Sequence, residues 1–335
     1  AAEGGHLVIA EGLVSALREA GHQATVIRTP QNRFGRQGAA YLATWLTDVG
    51  QAHDGQSVDH VVSFRFPSYA VRHPSHVCWL NHRMREYYDQ WPTFVQTLST
   101  RARFKEGLRR RLVHATDAYL LSRNVTRVFA QSETIQRRLD RWGRIPSTVL
   151  YPPARPRAYR CDRYGDHLFV ACRLSPLKRV GLVLEALAEP VAAGIRCLIA
   201  GDGPEREALV AQTRRLGLED RVEWLGSITE QDLVDRLANC RAVCYPPSAE
   251  DYGLVTLEAF ACAKAVITCA DSGGPAEMVR PEVDGLVADP TAESLAQAMR
   301  RVMDDQALAE RLGGAGSTRA ADFTWARTIP RLLGG

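Results

Sequence analysis

The sequence predicts an α/β protein built from two doubly wound, parallel-sheet domains. Three observations carry that expectation. Short apolar runs alternate with segments of helical period along the whole chain, the pattern of a parallel sheet covered by helices. The alternation is interrupted once, by Tyr151-Pro152-Pro153 and an Arg/Pro-rich run to about Arg163, which reads as a linker. Charge divides at the same place: residues 1–150 hold 20 basic and 12 acidic side chains, a surplus of eight positive, whereas 151–335 hold 22 and 26, a surplus of four negative. At 335 residues there is chain enough for two domains of ordinary size.

Composition narrows the class. Apolar residues at 45% and charged residues at 24% are ordinary for a globular protein. No apolar run approaches the roughly 20 residues of a membrane span, and the first residues do not read as a signal peptide. Eight cysteines occur, most of them inside apolar segments (Cys78, Cys172, Cys197, Cys244, Cys262, Cys269), with no Cys-x-x-Cys pair. They read as reduced core residues of a cytoplasmic protein rather than as disulfides or a zinc site.

In order, a helix is expected over Leu7–Ala20, with Gly21 as its C-cap and a strand at Gln23–Arg28. The pair Gly4-Gly5 resembles the turn that leaves the first strand of a doubly wound domain, yet no strand precedes it. That strand is central in the common orders. The expectation is therefore that about 10 residues are missing upstream, and that without them the first sheet has a gap two strand spacings wide, about 9–10 Å. Strands are expected at Val58–Phe64, Val77–Leu80, Arg127–Ala130 and Thr148–Tyr151, with helices near Gly38–Leu46, Arg103–Leu121 and Glu133–Trp142. Past the linker the strands are Leu168–Cys172, Ile195–Ala200, Val222–Leu225, Arg241–Tyr245, Ala265–Thr268 and Gly285–Val287. The helices among them are Val180–Ala188, Glu205–Leu216, Gln231–Ala238 and Pro275–Val279. Helices near Ala292–Met303 and Gln306–Leu312 follow, and Phe323-Thr324-Trp325 leads into a last one.

The stretch Tyr245–Phe260 carries the chemistry. Pro246 and Pro247 stop a strand, because proline cannot continue a ladder. Gly253 supplies backbone freedom before a helix that is apolar nearly all round and so buried. Glu258 sits in that helix, and a buried carboxylate needs a partner. Glu250 lies on the loop before it, and the amides of Gly253, Leu254 and Val255 between the two glutamates offer an anion site. Two acceptor carboxylates around an anion-binding helix end suit a ligand with hydroxyls on both sides of a phosphate, such as a nucleotide sugar.

Arg173 and Lys178 follow the strand Leu168–Cys172, where an arginine fork and a lysine charge would clamp a diphosphate; the plain alternative is two solvated cations. Gly201-Asp202-Gly203-Pro204 and Asp271–Glu277 end further strands, and a tight turn explains each equally well. His82 ends the strand Val77–Leu80, close to Arg85 and Tyr87, although a lone histidine is usually structural. Six of the eleven residues from Arg101 to Arg111 are basic, and Phe104, Leu108, Leu112, Ala115 and Tyr119 form one apolar stripe. The plain reading packs that stripe on the domain and leaves the charge solvated; the sharper one is peripheral contact with an anionic membrane or a lipid-phosphate acceptor. Nucleic acid is not expected, since no binding motif accompanies the charge. Asp-x-Asp and ligand-spaced His/Cys/carboxylate clusters do not occur, so no metal or cofactor is expected.

Glu250 to Glu258 with Gly253 is similar to the Glu-x7-Glu signature of retaining glycosyltransferases of family 4, which have the GT-B fold. Arg173–Lys178, Ala200–Pro204 and Asp271–Glu277 resemble its other blocks in order, Glu3-Gly4-Gly5 its glycine loop, and His82–Arg85 the histidine block of mannosyltransferase-like members. The resemblance implies residues 1–153 as an acceptor-side domain and 154–315 as the nucleotide-sugar domain, facing across a cleft, with 316–335 crossing back as a helix. It implies Arg173 and Lys178 at the diphosphate, Glu258 at the ribose, Glu250 at the donor sugar, Gly253–Val255 at sugar and phosphate, and Gly4, Gly5, Gly201 and Gly203 around the donor. His82 would lie near the acceptor. The implied reaction moves a sugar from a GDP- or UDP-sugar to an acceptor hydroxyl of a glycan, lipid or small molecule, without a metal. A GT-B-like epimerase and a non-catalytic nucleotide-sugar-binding protein are the rival readings.

Overall fold

A computed structural model describes residues 5–29, 34–52 and 55–334. The chain forms two compact units, one running to Pro152 and including the segment from Trp325 onward, the other Pro153–Thr324.

The first unit opens with α1 (Gly5–Glu19) and α2 (Gln37–Trp45), followed by β1 (Val61–Arg65) and β2 (His76–His82). Helices α3 (Trp91–Gln96) and α4 (Thr100–Tyr119) precede β3 (Arg127–Ala130), α5 (Glu133–Arg141) and β4 (Thr148–Val149). The strands form one parallel sheet in the order β1-β2-β3-β4. Its core gathers Cys78, Leu80, Val128 and Ala130 from the sheet with Ile135 and Leu139 of α5.

Four expectations for this unit need correction. Residues 22–29 form no strand, and Val26 and Ile27 are exposed, because among the described residues no strand pairs with them. The described sheet is continuous: its strands pair in sequence order, so the expected gap is not present within it. Gly4 lies outside the described residues, and Gly5 is the first residue of α1 rather than part of a turn. Finally, α4 does not pack through its apolar stripe. It buries Glu106, Val113 and Asp117 instead, and Phe104, Leu108, Leu112 and Tyr119 face solvent. The reason is a set of phenol donors. Asp117, fully buried, accepts hydrogen bonds from Tyr41, from Tyr69 at 2.5 Å and from Tyr88 at 2.6 Å, and Glu106 accepts one from Tyr87 at 2.7 Å. A carboxylate satisfied this fully tolerates the interior, so the polar side of α4 is the one that faces the domain.

The second unit comprises β5 (His167–Ala171), α6 (Val180–Ala188), β6 (Arg196–Ala200), α7 (Arg206–Arg215), β7 (Val222–Gly226) and α8 (Glu230–Asn239). After them come β8 (Ala242–Cys244), α9 (Leu254–Ala261), β9 (Ala265–Cys269), α10 (Gly274–Met278), β10 (Gly285–Ala288), α11 (Ala292–Asp304) and α12 (Gln306–Ala320). All six strands are parallel, in the order β10-β9-β8-β5-β6-β7. The order reverses between β5 and β8, and a crevice at the carboxyl ends of strands forms at such a reversal.

Helix α12 runs eight residues past its expected end at Leu312 and through the boundary expected at 315/316. Two glycines in this extension are packing residues. A Cβ on Gly313 would stand 2.0 Å from the Ala263 carbonyl, and one on Gly316 would stand 2.5 Å from Phe260. The last helix, α13 (Trp325–Leu333), belongs to the first unit, where Trp325 meets Trp79 edge-on at 6.1 Å. No helix among the described residues is long and apolar enough to cross a membrane.

Candidate functional site

The site is built at the strand reversal of the second unit. Strand β8 is fully buried and ends at Cys244; after Tyr245 two prolines prevent its ladder from continuing. The loop that follows is sewn to its neighbours through the main chain. Ser248 N–H donates to Leu177, Ala249 N–H to Asp271 and Glu250 N–H to Ser272, at 2.7–2.9 Å. Glycine makes this approach possible: a Cβ on Gly273 would stand 2.4 Å from the Glu250 carbonyl, and Gly273 has φ of +72°. Glu250 is thereby fixed opposite the end of β5.

Lys178 reaches it there. Its ammonium donates to Glu250 Oε2 at 2.6 Å and to the Tyr245 hydroxyl at 2.9 Å. Burial alone would favour the neutral amine, but the Tyr245 oxygen and the Glu250 carboxylate outweigh it and hold the lysine above its ordinary range. Arg173, on the same connection, is exposed. Among the described residues it has no hydrogen-bond or ion-pair partner, so its guanidinium fork is free for an anion. Gly201 and Gly203 set its backbone. Cysteine 172 N–H donates to Ala200 and Leu174 N–H to Asp202, at 3.1 and 3.0 Å, and a Cβ on Gly201 or Gly203 would meet the Cys172 or Leu174 carbonyl at 1.8 or 2.2 Å. Both glycines are thus packed on the backbone either side of Arg173.

Gly253 caps α9 with φ of +85° and ψ of +68°, and a Cβ there would stand 2.7 Å from Pro275. Only glycine fits such a position without strain. One turn on, Glu258 is buried and paired with Arg157, with the Tyr159 hydroxyl at 3.3 Å. Burial raises the Glu258 carboxyl above the usual range, and Arg157 and Tyr159 offset part of that rise. The Arg/Pro-rich run is therefore not a plain linker. It lies against its own unit, and the ion pair to Glu258 anchors it.

Two residues escaped the sequence reading. Arg157 lies in that supposed linker; the buried glutamate, which demanded a partner, was its only signal. Arg179 follows Lys178 and has φ of +49°, a left-handed conformation rare outside glycine. Its guanidinium donates to the Pro246 and Pro247 carbonyls at 2.9 and 2.7 Å and pairs with Asp271 at 2.6 Å, tying together the segments after β5, β8 and β9. The adjoining prolines, whose carbonyls no sheet would use, were its trace in the sequence.

The structure therefore gathers Arg173, Lys178, Glu250, Gly253, Leu254, Val255, Glu258, Gly201 and Gly203 on one unit. His82 is on the other. It ends β2, its Nδ1 lies 2.8 Å from the Arg83 carbonyl, and with Arg85, Tyr88, Asp89 and Arg138 it lines a small depression.

Two Rossmann-like parallel-sheet units, the second with cations and carboxylates at its strand reversal, have the fold of the GT-B glycosyltransferases. Sucrose-phosphate synthase from Thermosynechococcus elongatus illustrates the likeness of fold: the TM-score is 0.74 at 19% identity, over 98% of this chain and 92% of that one. Residues 165–319 match the family model of the glycosyl transferases group 1. An exopolysaccharide phosphotransferase of Streptomyces coelicolor is 36% identical over 185 residues, 52% of this chain and 19% of that protein. A D-inositol 3-phosphate glycosyltransferase of Kineococcus radiotolerans is 30% identical over 244 residues, 62% of this chain and 56% of the relative. The chain spans less than two thirds of the length of either curated relative. The matched stretch lies in the second unit, which in this respect is similar to the glycosyl transferases group 1.

Proposed function

We propose that the protein is a retaining, family 4 glycosyltransferase that moves a sugar from a nucleoside diphosphate sugar to an acceptor hydroxyl without a metal. One observation carries this reading: the unit that matches the group 1 family model gathers Arg173, Lys178 and Glu250 at its strand reversal, beside the helix that holds Glu258. Arg173, without a partner among the described residues, and Lys178, charged despite burial, would bind the diphosphate and take up the charge that grows on it as the glycosidic bond breaks. Glu250 would trade its Lys178 contact for hydroxyls of the sugar, and Glu258 would read the ribose. His82 is assigned to the acceptor side. The acceptor hydroxyl attacks from the face the diphosphate leaves, and a phosphate oxygen takes its proton, so no protein nucleophile is required.

Polysaccharide or glycolipid assembly, with peripheral membrane contact, is the setting we propose, and eight cysteines without a disulfide suit the cytoplasm. The test is incubation of the protein with labelled GDP- and UDP-sugars in the presence and absence of excess EDTA. Release of the nucleoside diphosphate with a product of unchanged anomeric configuration is expected in both conditions. An epimerised donor, no turnover with any donor, an inverted product, or activity that collapses in EDTA and returns with manganese would each overturn the corresponding part.

A further inference from the structure

Helix α4 presents the domain with its acidic side and solvent with its apolar side. Phe104, Leu108, Leu112, Ala115 and Tyr119 recur at spacings of three and four residues, which places them on one face. That face is open: Phe104 is 82% exposed, Leu112 62%, Tyr119 59% and Leu108 55%. Single exposed leucines are unremarkable, but a stripe along most of a 20-residue helix marks an interaction surface. Arg101, Lys105 and Arg111 are exposed beside the stripe, and among the described residues none of them has a hydrogen-bond or ion-pair partner. The only two carboxylates of α4, Glu106 and Asp117, both face the core. The outward surface of the helix is thus apolar along its middle and cationic along its sides, with no anion on it.

We propose that this face of α4 docks on an anionic lipid bilayer, with the stripe at the level of the headgroup–acyl boundary and Arg101, Lys105 and Arg111 among the lipid phosphates. The charge selects the occupant. A second copy meeting the same face about a twofold axis would set unpaired arginines and lysines against one another, whereas an anionic surface neutralises all three while the side chains between them leave water. The inference deepens the peripheral contact proposed above and is independent of the transfer reaction. Vesicle binding is read without any donor, so either reading can fail alone.

The experiment is co-sedimentation of the full chain with vesicles of phosphatidylcholine alone and of phosphatidylcholine with phosphatidylglycerol, alongside sedimentation velocity without lipid. Binding is expected only with phosphatidylglycerol, weakening as salt rises. Changing Arg101, Lys105 and Arg111 to Gln together should weaken partition about a hundredfold, at about fivefold per basic residue near the surface. Leu108→Glu with Leu112→Glu should abolish it and leave the thermal midpoint unchanged, since both side chains are already in water. If that double variant loses stability, Phe104→Ser alone decides, because its ring is the most exposed. Equal binding to neutral vesicles, unchanged partition of the variants, or a wild-type dimer that the leucine variants dissociate would overturn the proposal.

Discussion

Arg157→Ala tests whether the Arg/Pro-rich segment is held to the second unit by its ion pair. Both side chains of that pair are close to nine-tenths buried, at 12% exposure for Arg157 and 11% for Glu258. Removing one partner of such a pair strands the other in a poor solvent, at a cost of about 3 kcal/mol, the low end for buried pairs given the residual exposure. For a unit of this size that corresponds to a fall of about 6–12 °C in its midpoint. The pH dependence is the sharper readout. Burial already raises the Glu258 carboxyl, and losing the guanidinium that offsets this raises it further. In the variant the folded state then binds more protons than the unfolded state at pH values between the ordinary carboxylate range and the raised one. Stability therefore falls as pH rises through that window and recovers as pH drops below it. Thermal unfolding from pH 5 to pH 8 should show the deficit of Arg157→Ala growing toward pH 8. Adding Glu258→Gln should restore much of the loss, because a neutral amide has less to lose from burial. A deficit that is the same at every pH, or a double variant less stable than Arg157→Ala, would refute the reasoning.

Two further predictions concern the strand-end groups. Arg173→Ala and Lys178→Ala should each cut kcat at least about a hundredfold, the scale of one lost donor to transition-state charge, with folding intact by circular dichroism; a near-normal rate in either removes that residue from the machinery. Glu258→Gln should weaken titrated binding of the bare nucleoside diphosphate, whereas Glu250→Gln should spare that affinity and lower turnover with the full donor; equal losses in both would end the division between ribose and sugar.

Much of the second unit was legible because its signals are local. Helix α6 falls on its expected residues, Val180–Ala188, since a short apolar helix between Lys178-Arg179 and Pro190 has its limits in neighbouring residues. The places of Lys178 and Glu250 at strand ends followed from strands read as apolar runs, and the left-handed cap from a glycine ahead of a buried helix. Local signals failed where a distant partner decides. Residues 22–29 have strand-like composition, but a strand exists only where another pairs with it. Helix α12 runs on past Leu312 because Gly313 and Gly316 let it pack closely on Ala263 and Phe260.

What the sequence determined by itself was the two-unit α/β alternation, the burial of the helix that carries Glu258, and the residue types at the strand ends. Each follows from period, cap or charge within a dozen residues. The tertiary structure alone decided where β5 and β8 reverse the sheet order, which brings Lys178 within 2.6 Å of a glutamate 72 positions away. It decided that Glu258 pairs with Arg157, 101 positions distant, and that Arg179 ties three strand ends together. It also decided which side of α4 faces water. Periodicity assigns a stripe to the core because apolar groups gain most from leaving water, but it does not see tyrosines from three other segments converging on Asp117. Once those hydroxyls satisfied the carboxylate, burying the acidic side no longer carried its usual penalty, and the apolar side was left outward.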